Sequence, residues 1–233
     1  MRLARRVIDS GSRALGWLRR GRKVGPPPGA GPVCVNLGCG LAVAPGWINI
    51  DGSLNALVAS MPRTVHKLVY RFTGSSRYYA RDTYLALLQC GTFIHHDLQY
   101  GIPLKDGTAD YVYSSHFLEH MARLDALHLL RESYRVLKPG GVLRVVVPDL
   151  AYAVSLYAQG RKEEMLTQYF FVEDDDSFYA RHKYMYDQES LSAQLEAIGF
   201  KDIKREGYQT GRTPDLTVLD NRPDDSLYVE ATR

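Results

Sequence analysis

Cysteine is scarce in this chain of 233 residues. The three cysteines, Cys34, Cys39 and Cys90, include no C-x-x-C pair, so we expect neither a disulfide framework nor a zinc site, and a reducing cytoplasm fits best. No run of 18 apolar residues could span a membrane, and no continuous apolar stretch indicates a signal peptide. With 45% hydrophobic residues, the chain is expected to form one well-buried domain.

The main part of the chain also lacks an excess of basic residues. Residues 1–24 hold eight of the 29 Lys and Arg and one of the 26 Asp and Glu, which leaves 21 basic against 25 acidic residues and a net charge of −4. A nucleic-acid partner would require basic residues along the bound surface to neutralise phosphates. The sequence therefore argues against a nucleic-acid substrate.

Residues 1–24 are instead a basic arm, in which apolar residues recur at near-helical spacing among the cations. Such a segment can attach to an anionic membrane surface or to a partner, because apolar insertion and phosphate attraction reinforce each other. A solvated tail is the alternative. Residues 25–32 contain three consecutive prolines and predict a stiff linker, so the main domain is expected to span residues 33–233.

Short apolar runs alternate with helical patterns along that domain, which predicts an α/β fold with a mainly parallel, doubly wound sheet. The fifth run is the most hydrophobic and should be central. Three helices are predicted after the third strand, at 124–137, 151–171 and 189–198. Seven strands are predicted, at 33–37, 47–50, 92–96, 111–114, 142–147, 202–206 and 227–231.

Two connections depart from a regular α/β pattern. Residues 41–46 are too few for a crossover with its own helix, which needs ~10–12 residues or more, so the first helix must be lost or reduced to a turn. Residues 53–91 form a long connection with helical patches and with tyrosines among basic residues. This predicts a helical insertion after the second strand, which serves either as a substrate cap or as ordinary packing.

Glycines and carboxylates follow the first three strands. Gly38 and Gly40 come after the first strand, Asp51 ends the second and Asp97 follows the third. The carboxyl ends of parallel strands converge on one crevice. Glycine lets a ligand approach the backbone closely, and Asp51 is placed to accept hydrogen bonds from ribose hydroxyls. A cap or turn role is the structural alternative for each carboxylate.

The ordered series of segments 33–40, 48–51, 96–98, 111–120 and 137–143 resembles the core of class I S-adenosylmethionine-dependent methyltransferases. The resemblance implies a seven-stranded sheet with an antiparallel C-terminal strand and S-adenosylmethionine as the cofactor. A nicotinamide dinucleotide is the competing cofactor, but its G-x-G-x-x-G fingerprint would need a third glycine where this chain has Val43.

By the same resemblance, Asp97 would accept a hydrogen bond from the adenine amine, and the backbone of Leu98 would meet the ring edge. The arrangement of residues 45–51, with the tail 215–230, resembles a type 11 subgroup linked to polysaccharide and cell-envelope glycan synthesis. The remaining residues expected at the cofactor are Asn36, Gly38, Cys39, Gly40, Asp51 and Ser114.

A hydroxyl acceptor must lose its proton as it attacks, and histidine suits a base near neutral pH. His116 follows the fourth strand and is the first candidate base. His120 is the second, with Glu119 placed to orient a histidine. Asp149, directly after the fifth strand, is a further catalytic candidate at the crevice rim. No Asn/Asp-Pro-Pro-Tyr segment follows the fourth strand, so methylation of a base amino group is disfavoured.

No metal site is predicted. Asp149 and the acidic run 174–176 could bind a divalent cation through oxygen atoms, but a solvated acidic loop is the favoured interpretation. His182 lies in the stretch where similar enzymes place residues on the acceptor side, and the tyrosines around it could stack on sugar faces or simply pack.

The sequence therefore predicts a methyltransferase that O-methylates a saccharide or a lipid-linked glycan with a histidine base. It would be cytoplasmic, with peripheral membrane contact through residues 1–24 as a further expectation. The alternatives are a methyltransferase for another small metabolite with a carboxylate, carbon or nitrogen acceptor, and a scaffold that binds the cofactor without turnover. The oligomeric state stays open.

Overall fold

The fold was analysed in a computed structural model that describes residues 16–21, 23–25, 31–70, 79–171 and 181–233. Most of the basic arm, the prolines of the linker and the acidic run considered for a cation lie outside these residues. Among the described helices, none is long and apolar enough to cross a bilayer.

Seven strands form a single sheet, built from the β-branched and aromatic runs that the sequence shows. They are β1 (Cys34–Leu37), β2 (Ile48–Asp51), β3 (Thr92–His95), β4 (Ala109–Ser115), β5 (Leu137–Pro148), β6 (Lys201–Glu206) and β7 (Ser226–Thr232). The strand order is β3-β2-β1-β4-β5-β7-β6. All neighbours are parallel except that β7 runs antiparallel to both β5 and β6. The predicted fold class is confirmed.

Helices cover the sheet. The longest, α4, buries one face of apolar residues against it and ends where the Pro-Gly-Gly segment begins. α7 begins with a capping box and ends at a left-handed glycine. The helices are α1 (Leu54–Ala59), α2 (Arg63–Val69), α3 (Arg81–Leu87), α4 (Arg123–Val136), α5 (Leu150–Ala158), α6 (Lys162–Met165), α7 (Gln188–Ile198) and α8 (Leu216–Leu219).

The structure confirms that the connection between β1 and β2 has no helix, and it divides the helix predicted at 151–171. Residues 41–46 form turns without a helix, and α1, α2 and α3 lie in the insertion after β2. The single helix expected at 151–171 is wrong: Gly160, with φ of 77°, separates α5 from α6, and α6 continues into a π-helix at Leu166–Phe170. A left-handed glycine cannot continue an α-helix, so the chain changes direction there.

The pairing of residues between neighbouring strands brings the carboxyl ends of the central strands level with one another. Leu37 at the end of β1 pairs with Ile50 on one side and Ser114 on the other, and Asp51 pairs with His95. The apolar side chains of these strands form the main core. The residues that follow β1, β2, β3 and β4 are thereby brought to one edge of the sheet, as the doubly wound fold requires.

One charged cluster lies inside the fold. Arg144, in the middle of β5, is fully buried, and its guanidinium lies 2.5 Å from Asp220 and 3.3 Å from Glu230, which are also fully buried. It also donates to the carbonyls of Gly207 and Thr210. We call these residues the Arg144 network. Its charges are paired and hydrogen bonded, which is the condition for burying them.

The described part of the arm folds back onto the domain. Residues 16–19 are helical, and a Cβ on Gly16 would lie 2.7 Å from the side chain of Asp97. Farther along, Lys23 donates to the carbonyl of Ile102, and Val24 bonds to the backbone of Pro103. The segment therefore runs over the loop that follows β3.

Candidate cofactor and acceptor site

Two glycines after β1 have positive φ, 63° at Gly38 and 51° at Gly40, a conformation that side chains disfavour. They serve different purposes. A Cβ on Gly38 would lie 2.1 Å from the ring of Phe117, whereas a Cβ on Gly40 would meet no described atom within 4 Å. Gly38 therefore makes room for Phe117, and Gly40 borders open space at the crevice.

Asp51 lies at the tip of β2 and is buried. One carboxylate oxygen accepts from the backbone of Gly40 at 2.9 Å and the other from the backbone of Ser53 at 2.6 Å. An ionised carboxylate has about four acceptor sites, so each oxygen retains capacity for another donor. Asp51 thus orders the glycine turn and still fits the ribose hydroxyls expected beside it.

Two hydroxyls near the strand tips support that fit. The Oγ atoms of Ser53 and Ser114 are buried and have no hydrogen-bond partner among the described residues. Buried polar groups are usually hydrogen bonded, so two buried hydroxyls without a partner are compatible with a polar ligand at the strand ends. Together with Asp51 and Gly40, they fit a nucleoside that carries hydroxyl and amino groups.

The other residues expected at the cofactor are placed within the surrounding fold. Asn36 is buried and donates to Ala42 and Asn49, which tightens the connection between β1 and β2. Cys39 is buried, and burial followed by the charge of Asp51 holds its pKa well above the usual value. Its thiol is therefore protonated, and a role for Cys39 would come from its backbone.

Asp97 caps the 3₁₀ turn at Leu98–Tyr100, accepting from the backbone and the side-chain amide of Gln99. Leu98 is buried in the main core. His96, just before Asp97, is buried, and this burial together with Lys23 lowers its pKa to about 4. The edge expected to meet adenine therefore lies beneath residues 16–19 and beside a neutral histidine.

His116 follows β4 with a φ of 48°, a strained conformation for a residue other than glycine and one that is common at functional sites. Its Nε2 lies 2.9 Å from the hydroxyl of Ser226, and its Nδ1 lies 3.5 Å from a carboxylate oxygen of Glu119. The ring therefore lies between a hydroxyl and a carboxylate, as a histidine base would.

Glu119, His120 and His182 form a second group of titratable side chains, which we call the Glu119 cluster. Glu119 is fully buried, and neither carboxylate oxygen has a hydrogen-bond partner among the described residues. His120 Nε2 lies 3.6 Å from one of these oxygens. Burial lowers the pKa of His120, and Glu119 acts against that effect. The rings of His120 and His182 have centroids 5.1 Å apart.

Asp149 is engaged within the fold. One carboxylate oxygen caps α5 by accepting from Ala151, and the other lies 2.8 Å from the guanidinium of Arg205. This is the N-cap role that an aspartate directly before a helix commonly takes, and it was not predicted for Asp149. Asp149 therefore takes no part in the function proposed below.

A surface cleft of about 620 Å³, within the size range of small-molecule sites, is connected to His116 and His182 through residues in or next to its lining. Tyr169 in its wall donates to Asp225 and, through its carbonyl, contacts His182. Ser226, the next residue after Asp225, contacts His116. The cleft is lined by Tyr152, Gln168, Tyr169, Asn221, Arg222, Pro223, Asp224 and Asp225.

The sequence did not point to Tyr169, Asp225 or Ser226. Their roles arise from contacts across 56 residues of chain, between Tyr169 and Asp225, and 110 residues, between His116 and Ser226. The sequence feature that includes Asp225 and Ser226 is the polar tail 215–230, which resembles the type 11 subgroup but predicts no catalytic role for either residue. Glu119 and His182 were noted separately, and the fold brings them together.

Comparisons with known proteins agree with this geometry. Residues 59–145, less than half of the chain, match the model of the type 11 family described as a methyltransferase domain. The match runs from the helical insertion into β5, and the strand order around it is that of the class I fold. The chain therefore matches a methyltransferase domain over residues 59–145 and has the Rossmann-like α/β fold of such domains. No functionally curated protein matches the chain by sequence.

Three solved structures illustrate the likeness of fold. A possible exported protein from Bordetella parapertussis is 18% identical with a TM-score of 0.52, over 99% of this chain and 68% of that one. The methyltransferase SibL in its apo form is 20% identical with a TM-score of 0.52, over 87% of this chain and half of its own length. A possible histamine N-methyltransferase from Thermotoga maritima is 17% identical with a TM-score of 0.50, over 87% and 83%.

The residues at the strand ends fit S-adenosylmethionine, the cofactor that the resemblance implies. When bound, it supplies a methyl group on a sulfonium centre, whose sulfur leaves as a neutral thioether. Gly40, Asp51, Ser53 and Ser114 are the residues whose open space and remaining hydrogen-bonding capacity fit it.

Proposed function

We propose that the methyltransferase O-methylates a saccharide, free or lipid-linked, with His116 as the general base. The observation that carries this proposal is the lining of the cleft, which ends at Asp225, the residue before the Ser226 that contacts His116. The cleft wall combines two tyrosines with amide, carboxylate and guanidinium side chains. Tyrosine rings can pack on sugar faces while the polar groups bond hydroxyls, and this combination suits a saccharide better than an apolar acceptor.

His116 can take the proton of an acceptor hydroxyl. With Glu119 on the Nδ1 side, the carboxylate favours the tautomer that carries its proton on Nδ1, which leaves the lone pair on Nε2. The hydroxyl of Ser226 marks the direction of that lone pair. An acceptor hydroxyl that enters from the cleft would take over this hydrogen bond and lose its proton to Nε2 as the oxygen attacks the methyl carbon.

Cofactor residues are proposed alongside the base. Asp51 would accept from the ribose hydroxyls with its remaining lone pairs, and Gly40 would let the methionine portion approach the backbone. Asp97 and the backbone of Leu98 would meet the adenine. The buried hydroxyl of Ser114 would face the cofactor from the end of β4.

The test is transfer of labelled methyl from S-adenosylmethionine to matched pools of neutral saccharides, amines and carboxylates. We expect product with saccharides, and we expect His116→Gln to lower kcat by about 100-fold or more while cofactor affinity stays within about twofold. His128→Gln, which changes an exposed histidine on α4, is the matched control. Transfer to amines or carboxylates alone contradicts the proposal, and cofactor binding without transfer to any pool favours the scaffold alternative.

A further inference from the structure

The Glu119 cluster brings three possible metal ligands close together. One ligand atom from each of Glu119, His120 and His182 lies within 4.8 Å of the others. Two histidines and one glutamate are a ligand set that zinc sites use, with a fourth position left to water or substrate. We propose that these three side chains bind a divalent transition-metal ion of the zinc class.

The hydrogen bonds of the two rings support this assignment. His120 Nδ1 lies 3.3 Å from the carbonyl of Arg181, and His182 Nδ1 lies 2.6 Å from the carbonyl of Tyr169. A carbonyl oxygen can only accept, so each Nδ1 carries the proton and each Nε2 has its lone pair available. A metal-binding histidine is oriented in this way, with its other ring nitrogen bonded to a backbone carbonyl.

Glu119 supplies the charge. Its side chain is completely buried, yet neither carboxylate oxygen has a hydrogen-bond partner in the described part of the chain. A buried carboxylate without bonded partners is costly. The backbone N–H of Lys183 donates to the carbonyl of Glu119 at 2.6 Å, which ties Glu119 to the irregular segment that contains His182. A cation between the three side chains would remove the cost.

The ligand atoms lie farther apart than in a zinc site with the ion bound, so the side chains would have to move closer together. His120 Nε2 is 3.6 Å from the nearer oxygen of Glu119, and two ligands of a tetrahedral zinc ion stand ~3.3 Å apart. The same oxygen of Glu119, Oε1, lies 3.5 Å from His116 Nδ1, and the second oxygen, Oε2, has no hydrogen-bond partner among the described residues. His120 keeps 23% of its side chain exposed, and Tyr169, which holds His182, lines the cleft. The fourth position would therefore be open to an acceptor oxygen.

Metal binding is measured without any acceptor, so its result is independent of the proposed saccharide. The full chain is stripped with a chelator and titrated with Zn²⁺ against a chromophoric competitor, and in parallel with Co²⁺ by visible absorption. We expect one equivalent of each ion, with a Co²⁺ spectrum typical of four or five ligands. Absence of stoichiometric binding of both ions overturns the assignment.

Variants locate the ion. Glu119→Gln and His182→Gln should each weaken Zn²⁺ binding by about 100-fold or more, since changes in the residues that merely support metal ligands already cost 10–100-fold. His128→Gln should bind as the parent does. Circular dichroism verifies folding, and Glu119→Gln, with nearly unchanged shape, keeps the test valid if the histidine variant is unstable. Stoichiometric binding that both variants retain also overturns the assignment.

Discussion

The Arg144 network and the Glu119 cluster both bury carboxylates completely, but they satisfy them in opposite ways. Asp220 accepts from Arg144, from Tyr113 and from the backbone of Gln209. Glu119 has no hydrogen-bond donor among the described residues, and its nearest nitrogens are 3.5 and 3.6 Å away. The comparison teaches that the first carboxylate is satisfied by the fold, whereas the second keeps the unused hydrogen-bonding capacity on which our proposals rest.

The largest effect should come from breaking the Arg144 network. Arg144→Met removes the cation and leaves two buried carboxylates without it, so the free energy of unfolding should fall by about 3–5 kcal/mol. Urea denaturation followed by circular dichroism measures this. Arg161→Met, which removes an exposed ion pair with Glu164, should leave the midpoint unchanged. Equal midpoints for the two variants would show that the network does not stabilise the fold.

Asp51 is intermediate between the fully hydrogen-bonded Asp220 and the unbonded Glu119, because each of its oxygens accepts from one backbone N–H and can accept from another donor. Asp51→Asn should weaken binding of S-adenosylhomocysteine by about 10–100-fold, the size expected when hydrogen bonds to a charged group are lost. Isothermal titration calorimetry measures this, with the exposed Asp82→Asn on α3 as control. Unchanged affinity in Asp51→Asn would remove this carboxylate from the cofactor site.

Glu132 extends the comparison to a half-buried, fully bonded carboxylate. Bonds from Arg135 and from the backbone of Ile102 hold its pKa at about 2, against the opposing effect of burial, which is the largest single influence. A lowered pKa means that its stabilisation is complete above the unfolded value of about 4.5 and disappears as the pH falls toward 2.

Glu132→Gln should therefore lower the free energy of unfolding by about 1–2 kcal/mol at pH 7, and the difference from the parent should vanish between pH 4.5 and pH 2. Urea titrations at a series of pH values measure this. Glu163→Gln changes an exposed glutamate on α6 and should show no such dependence. A difference that grows on acidification would contradict the assigned role.

The smallest effect on stability is expected at Glu119 itself. In the metal-free protein, Glu119→Gln removes a buried charge that no donor satisfies, so the free energy of unfolding should stay within about 1 kcal/mol of the parent or rise. Thermal unfolding in the presence of a chelator measures this. A loss as large as that of Arg144→Met would show that Glu119 is a structural residue like those of the Arg144 network.

Local signals in the sequence predicted most of the fold. Apolar runs gave the strands, and the short stretch after Gly40 gave the missing helix, because both depend on neighbouring residues. Gly160 broke a predicted helix because the apolar pattern continues across it while the backbone does not. Arg144 was read only as part of a hydrophobic strand, since its partners Asp220 and Glu230 lie 76 and 86 residues away.

The candidate site was predictable to the extent that it follows strand ends. Asp51 and His116 follow directly from the rule that carboxyl ends converge. Asp149 satisfies the same rule, but its carboxylate is engaged by α5 and Arg205, and only the folded structure shows this. His182 reaches Glu119 through contacts 63 residues apart in sequence, which no local pattern records.

The ring of Phe117 occupies the space that a side chain at position 38 would need. We therefore expect the two positions to vary together during evolution. A Cβ on residue 38 would lie 2.1 Å from the ring of Phe117, so a methyl group fits there only if the ring is replaced by a smaller side chain. In related sequences, alanine or serine at the position of Gly38 should therefore coincide with a small residue at the position of Phe117. A change in one partner alone would displace the loop that begins with His116 and so shift the proposed base without replacing it.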